Sequence, residues 1–166
     1  MDAGTGSGNI AISLVKFLPE SRITAIDISS GAIELAKENA ILNNAANRIR
    51  FVVSDLFSGI SKEKQFDLMV SNPPYISSNE MSGLPAEVRC EPKIALDGGK
   101  DGMDFYRRII KDSPAYLKKD GIILMEMGYN QSNSIQEISN SSGNFEILRV
   151  ISDYSRIERV IIAKRN

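Results

Sequence analysis

Apolar residues fall into two alternating rhythms over the first two thirds of the chain. Short, mostly apolar runs at 22–27, 49–53, 66–71 and 121–126 have the length of buried strands. Between them, apolar positions recur at helical spacing. The first helical stretch spans 10–18 and is stopped by Pro19. A second starts after Ser29 and Ser30, which suit an N-cap, and runs to about Asn43 with Ile33, Ala36, Ala40 and Ile41 on one stripe. A third starts near Met103 and continues into the 110s, where Pro114 kinks or breaks it; a fourth covers 131–139. Strand and helix in alternation predict an α/β domain, a parallel sheet with helices on both faces. Two last strands, at 145–151 and 160–164, are joined only by 152–159. A parallel crossover takes about a dozen residues or more, so this pair is expected to be antiparallel. The prediction is one domain over 1–166, Rossmann-like and mostly parallel, with a C-terminal antiparallel strand. The segment 73–102, with frequent Pro, Gly and Ser, reads as a long loop, and loops of that length are usually functional or disordered.

Composition narrows the chemistry. The 166 residues are 42% hydrophobic and 25% charged, enough apolar material for a sizeable core. Twenty basic and 21 acidic side chains give a net charge of −1, which offers no general attraction to a polyanion. No histidine is present, which excludes an imidazole base, a Ser-His triad and a His-ligated zinc site. Cys90 is the one cysteine, so no internal disulfide or Cys-x-x-Cys metal knuckle can form, and no metal is expected. No apolar run approaches the roughly 20 residues of a membrane span. The opening residues are glycines and an aspartate rather than a signal peptide, and the expected location is cytoplasmic.

The strand ends carry the candidate chemistry. In open α/β sheets ligands bind beyond the carboxyl ends of the strands. Here a glycine turn, Asp27, Asp55 and Asn72 are met in succession along the chain, the last three each after an apolar strand. The turn reads Asp2-Ala3-Gly4-Thr5-Gly6-Ser7-Gly8. A dinucleotide fingerprint needs its third glycine at position 9, which is Asn. Gly-x-Gly-x-Gly behind an acid suits a nucleoside with a cationic amino-acid arm, whose ammonium Asp2 would accept; a plain strand-to-helix turn is the alternative. Asp27 would accept both hydroxyls of an unmodified ribose, as in S-adenosylmethionine or NAD, or else serve as a helix-start residue. Asp55 would accept from an adenine amino group with Leu56 and Phe57 against the ring, although Asp is also an ordinary turn residue.

Asn72-Pro73-Pro74-Tyr75 is the most specific feature. An Asx-Pro turn accounts for its first residues but not for the aromatic. A planar amide or aromatic amine nitrogen is a poor nucleophile because its lone pair is delocalised. The Asn72 side-chain oxygen and the Pro73 carbonyl would both accept N–H bonds from it. That draws electron density onto the nitrogen and aims it at a methyl group. Proline fixes φ and holds the carbonyl rigid, and Tyr75 offers a flat face to the planar group.

Asp-x-Gly-x-Gly-x-Gly, an acid after the next strand and Asn-Pro-Pro-Tyr together resemble class I S-adenosylmethionine-dependent amino-methyltransferases. Glu91-Pro92, Ala95-Leu96-Asp97-Gly98-Gly99, Asp101-Gly102, Phe105-Tyr106-Arg107, Glu126-Met127-Gly128 and the run from Arg156 to Arg159 narrow the resemblance. They are similar to the peptide chain release factor N(5)-glutamine methyltransferases, the HemK/PrmC family. The resemblance implies methyl transfer from S-adenosylmethionine to the glutamine of the Gly-Gly-Gln loop of class 1 release factors. It implies cofactor contact by Gly4, Thr5, Gly6, Ser7, Gly8, Asp27, Leu56 and Asn72, and capture of the glutamine amide by Asn72, Pro73, Pro74 and Tyr75. Adenine in DNA or RNA is the second substrate class that such a tetrapeptide serves; the balanced charge and the lack of an inserted recognition segment weigh against it. A ribosomal-protein glutamine and an inactive fragment are the further alternatives. The sequence starts inside the glycine motif, so the family's N-terminal helical domain and first strand are expected to be missing. Glu91, Asp101 and Asp104 read equally as substrate contacts or as solvated charges.

Overall fold

Seven strands form one sheet in the computed structural model, which describes residues 1–63 and 65–166. In chain order they are β1 (Asp2–Ala3), β2 (Ile23–Asp27), β3 (Ile49–Val53), β4 (Phe66–Ser71), β5 (Leu117–Glu126), β6 (Phe145–Ser152) and β7 (Glu158–Arg165). The helices are α1 (Asn9–Phe17), α2 (Ser30–Leu42), the short α3 (Ala86–Arg89) and α4 (Lys93–Leu96), α5 (Asp104–Asp112) and α6 (Ser132–Ser142). Across the sheet the order is β3-β2-β1-β4-β5-β7-β6. The first five strands pair in parallel, and β7 runs antiparallel to both β5 and β6. The expected parallel sheet and antiparallel end are both present, with β7 slotted between β5 and β6.

This order places the site. From β1 the chain winds outward to β3 at one edge, then returns to add β4 on the other side of β1. The direction of winding reverses between β1 and β4, and at such a switch point the loops after the two strands diverge and leave a crevice. The loop after β1 is the glycine turn, and the loop after β4 starts at Asn72.

The first strand is a correction to expectation. Its place is filled by two residues, with Asp2 opposite Ala25 and Val70, and Ala3 opposite Ile26 and Ser71. Ala3 is fully buried, and the Ser71 hydroxyl donates to its carbonyl at 2.7 Å. Two residues at the edge of a glycine-rich segment carry no periodicity, so only the pairing reveals them as a strand.

Alternation along β2 divides the core between the two faces. Ile23 and Ala25 join Ala11, Ile12 and Val15 of α1 and Ala40 of α2. Ile26 joins Met69, Ile123, Met125 and Ile161 of the sheet, Tyr106, Ile109 and Ile110 of α5, and Ile135 of α6. The Ser29 side chain accepts from the Ala32 N–H at 3.2 Å, the expected cap of α2. α5 stops at Asp112 and a single 3-10 turn over Ser113–Ala115 takes up Pro114. β5 starts four residues before its apolar run. Lys118, Lys119 and Asp120 hide it in the sequence, and a register shift against β4, with Asp120 at φ 60°, interrupts the alternation. The segment 73–102 carries α3, α4 and a bridge between Ile76 and Asp97 rather than being irregular throughout. No helix among the described residues is long and apolar enough to cross a membrane.

Candidate active site

The glycine turn is built by positive φ at Gly4, Gly6 and Gly8, at 74°, 54° and 86°, a region closed to most side chains. Gly8 is also a packing contact, since a Cβ there would lie 3.1 Å from the Ala36 Cβ of α2. Asp2 sits beneath the turn, fully buried. Its Oδ2 accepts from the Thr5 hydroxyl at 2.6 Å and from the Ala11 N–H at 3.0 Å. Asp2 therefore ties the turn to the first residues of α1. Its Oδ1 has no hydrogen-bond partner among the described residues. Burial pushes the carboxyl pKa up, while the bonds from Thr5 and Ala11 pull it down. Asp27 ties the other side of the turn. Oδ2 accepts from the Gly6 N–H and Oδ1 from the Ser29 N–H, both at 2.9 Å. The Asn39 side chain of α2 donates to the Ser7 carbonyl at 2.9 Å.

The glycine turn and the tetrapeptide are neighbours, as the sheet order requires. A Cβ on Gly4 would lie 3.9 Å from the Asn72 carbonyl oxygen. Asn72 is exposed, Pro73 is buried, and Pro74 and Tyr75 are half-buried. Burial raises the Tyr75 phenol pKa. Two charged residues missed by sequence reasoning as site groups lie here: Glu126, at the end of β5, and Arg159, at the start of β7. Both act electrostatically on Tyr75. The Met127 N–H donates to the Arg159 carbonyl at 2.9 Å, which fixes the register that brings them together. The signal for Glu126 in the sequence is its position as a carboxylate at another strand end, in Glu126-Met127-Gly128.

Burial pushes the Glu126 carboxyl up; Arg159 and the Asn72 side chain draw it back down. The folded protein thus holds this proton to higher pH than the unfolded chain does. Stability contributed by that proton is full below the ordinary glutamate range and is lost as pH rises through the raised value. Glu126→Gln is expected to remove this loss. In urea titrations, the advantage of the variant over the parent should be larger at neutral than at weakly acidic pH. Equal differences at both would show that Glu126 titrates alike folded and unfolded.

Other predicted residues stand further out. Asp55 is exposed and pairs with Arg108 Nη2 of α5 at 2.7 Å, both side chains nearly half exposed. Leu56 adopts φ 46°, a left-handed conformation rare for a side chain of its size. Ser54 supports that turn, donating to the Leu56 carbonyl at 2.6 Å and accepting from the Gly59 N–H at 2.8 Å. A cleft of about 370 Å³ is lined by Asp55, Leu56, Phe57 and Arg108, and one of about 630 Å³ by Lys93, Ile94, Phe105 and Arg108 among others. Neither is lined by the glycine turn, Asp27 or Asn72. Asp101 and Asp104 both pair with Arg107, and Asp101 also accepts from the Met103 N–H at 3.1 Å. The Arg107 guanidinium holds the Asp101 carboxyl down at about 2. These bonds brace the start of α5.

A family model described as the methyltransferase small domain matches residues 1–87, which contain the glycine turn, Asp27, Asp55 and the whole tetrapeptide. The chain belongs to the methyltransferase small domain family. It is 45% identical over 166 residues to a release factor glutamine methyltransferase of Fusobacterium nucleatum subsp. nucleatum, covering 99% of this chain and 46% of that one. It is 42% identical to the protein of the same name from Thermodesulfovibrio yellowstonii, covering 100% of this chain and 59% of that one. The chain thus spans about half the length of these relatives. Among solved structures, a methyltransferase from Pyrococcus furiosus superposes with a TM-score of 0.73 at 20% identity, over 98% of this chain and 72% of that one. A ribosomal protein L11 methylase from Lactobacillus delbrueckii subsp. bulgaricus does so with 0.69 at 24%, over 99% and 68%. The fold is that of class I methyltransferases, a mostly parallel α/β sheet with an antiparallel C-terminal pair. The switch point between β1 and β4 is the place where this family's site geometry is expected.

Proposed function

We propose that this chain is the catalytic part of a protein methyltransferase. It transfers the methyl group of S-adenosylmethionine to the side-chain amide nitrogen of the glutamine in the Gly-Gly-Gln motif of class 1 peptide chain release factors. The observation that carries the reading is the Asn72-Pro73-Pro74-Tyr75 loop beside the glycine turn. Nearly all of the chain that carries it aligns with part of proteins named release factor glutamine methyltransferase.

The residues present fit the cofactor. Open space lies beside Gly6, where a Cβ would meet nothing within 4 Å. The orphaned Oδ1 of Asp2 is a buried acceptor behind the turn, and such an atom attracts a cationic donor. The Asp27 oxygens each keep a lone pair beyond the backbone bonds they accept, enough for ribose hydroxyls. Leu56, held in its left-handed conformation, supplies an apolar wall for the adenine, with Asp55 in reach of its amino group once Arg108 yields. Thr5, Ser7, Gly4 and Gly8 shape the turn around the amino-acid arm. When bound, the cofactor supplies an electrophilic methyl group on a sulfonium.

The chain's own contribution is positioning. The Asn72 side-chain oxygen and the Pro73 carbonyl accept the two N–H bonds of the glutamine amide. Tyr75 covers the plane of that amide. One of the two protons leaves after the nitrogen has gained its methyl group, so no strong base is needed at the outset. Positioning of this kind supplies up to roughly 7–11 kcal/mol of a barrier in ideal cases. Release factors act in the cytoplasm, and the protein is placed there.

The test is transfer of labelled methyl from S-adenosylmethionine to a purified class 1 release factor. Label is expected on the Gly-Gly-Gln peptide and is expected to vanish when that glutamine is replaced by glutamate. Label on another residue, or on nucleic acid in preference, would overturn the substrate assignment.

A further inference from the structure

Gln131 stands at the N-cap of α6, a position favoured by Ser, Thr, Asp and Asn, yet its side chain makes no bond to the helix. Its amide is used elsewhere, and on both sides. Oε1 accepts from the Gly128 N–H at 2.9 Å, and Nε2 donates to the Tyr75 carbonyl at 2.7 Å. Only one orientation of the amide satisfies both, since the flipped group would set donor against donor and acceptor against acceptor. The surroundings are built to admit it. A Cβ on Gly128 would lie 2.9 Å from Tyr75 Cδ2 and 3.0 Å from Gln131 Oε1; one on Gly102 would lie 2.9 Å from Gln131 Nε2. The Tyr106 hydroxyl of α5, which donates to the Glu126 carbonyl at 2.8 Å, lies 3.5 Å from Gln131 Oε1.

The tetrapeptide gains an anchor from the Gln131 bond to Tyr75, next to the bridge that holds Ile76. Pro73 and Pro74 have no N–H, so the loop has lost two backbone donors with which to fix itself. Its carbonyls remain, and that of Tyr75 is the one gripped by Gln131. The grip spans 56 residues of sequence and joins the loop after β4 to the turn after β5.

We infer that Gln131 is a positioning residue for methyl transfer: by holding the Tyr75 carbonyl it fixes the distance of the Asn72 and Pro73 oxygens from the acceptor amide. This rests on the glutamine-methylation reading for its activity readout, and on the fold alone for its loop-order readout. A small misplacement of reacting groups can cost on the order of a hundredfold in rate, so loss of the grip should be felt in kcat rather than in cofactor affinity.

Two variants separate the two bonds. Gln131→Ala removes both. Gln131→Glu keeps an acceptor for the Gly128 N–H but cannot, when ionised, donate to the Tyr75 carbonyl. Both are expected to lower kcat on the release factor by about tenfold to a hundredfold, with the S-adenosylmethionine Kd by calorimetry unchanged. Both are also expected to speed amide hydrogen exchange in the peptide covering residues 72–77, with the glycine turn unaffected. Gln131→Glu near parental in kcat and exchange, beside an impaired Gln131→Ala, would show that Gln131 only anchors the Gly128 turn and would overturn the inference. So would a raised KM with unchanged kcat, which marks direct substrate contact. If the parent does not label release factor, the substrate reading fails by itself. Unchanged exchange at 72–77 in Gln131→Glu then sinks the positioning role, and faster exchange upholds it. Thermal melts of each variant exclude global unfolding as the cause, and Gln131→Glu stands if Gln131→Ala does not fold.

Discussion

Asn72→Ala is expected to lower turnover by about a hundredfold or more while leaving cofactor affinity much less affected. The asymmetry follows from where Asn72 sits. The residue is exposed, its carbonyl oxygen lies 3.9 Å from a Cβ position on Gly4, and its side chain acts on Glu126 at the end of β5. The acceptor oxygen lost on truncation would be used by the methyl-accepting nitrogen, and most strongly as that nitrogen gains positive charge. An interaction that grows toward the transition state appears in kcat and kcat/KM alike, rather than in ground-state binding. The fold should survive, because an exposed side chain at a strand end carries little core packing. Single-turnover methyl transfer with calorimetric S-adenosylmethionine binding on the same sample checks both halves. Turnover comparable to the parent would remove Asn72 from the mechanism. Equal losses in turnover and cofactor affinity would make it a binding residue instead.

Asn72 is legible in the sequence as a strand-end residue for the same reason that much of the candidate site is. An apolar run long enough for a strand, followed at once by a polar residue, marks the carboxyl edge of a parallel sheet. Asp27, Asp55 and Asn72 all carry that mark. The glycines identified themselves by spacing, since three positive φ angles within five residues have few other sources. β1 and the first residues of β5 lacked such a mark. Two residues are too few to show a period of two, and Lys118 to Asp120 break the apolar rhythm. What stayed hidden at the site was pairing across distance. Glu126 and Arg159 come close enough to act electrostatically on Tyr75 because β7 lies antiparallel beside β5, and nothing in either segment states its partner. Gln131 reads as the surface residue opening a helix until its bond to Tyr75 is drawn. The engagement of Asp55 with Arg108 is of the same kind, a contact between residues 53 positions apart.

Asp27→Ala is expected to weaken S-adenosylmethionine binding by about 1.5–3 kcal/mol for each hydrogen bond lost to this charged acceptor. One such bond corresponds to roughly a tenfold to 150-fold rise in Kd. Two effects act in the same direction. On the proposed reading the carboxylate would accept the ribose hydroxyls. It also accepts the Gly6 N–H and the Ser29 N–H, so it holds the glycine turn against the end of β2 before any ligand arrives. Truncation therefore removes an acceptor and loosens the surface it belongs to, and a site that must be ordered on binding binds more weakly. Stability should fall less than affinity, because Asp27 is half-buried and both backbone donors lie where water can replace it. The Ser29 side chain still caps α2 through the Ala32 N–H. Calorimetry on parent and variant, with urea unfolding of both without ligand, separates the two effects. An unchanged Kd would put the ribose elsewhere in the crevice. A stability loss as large as the affinity loss would mean that Asp27 serves the turn alone.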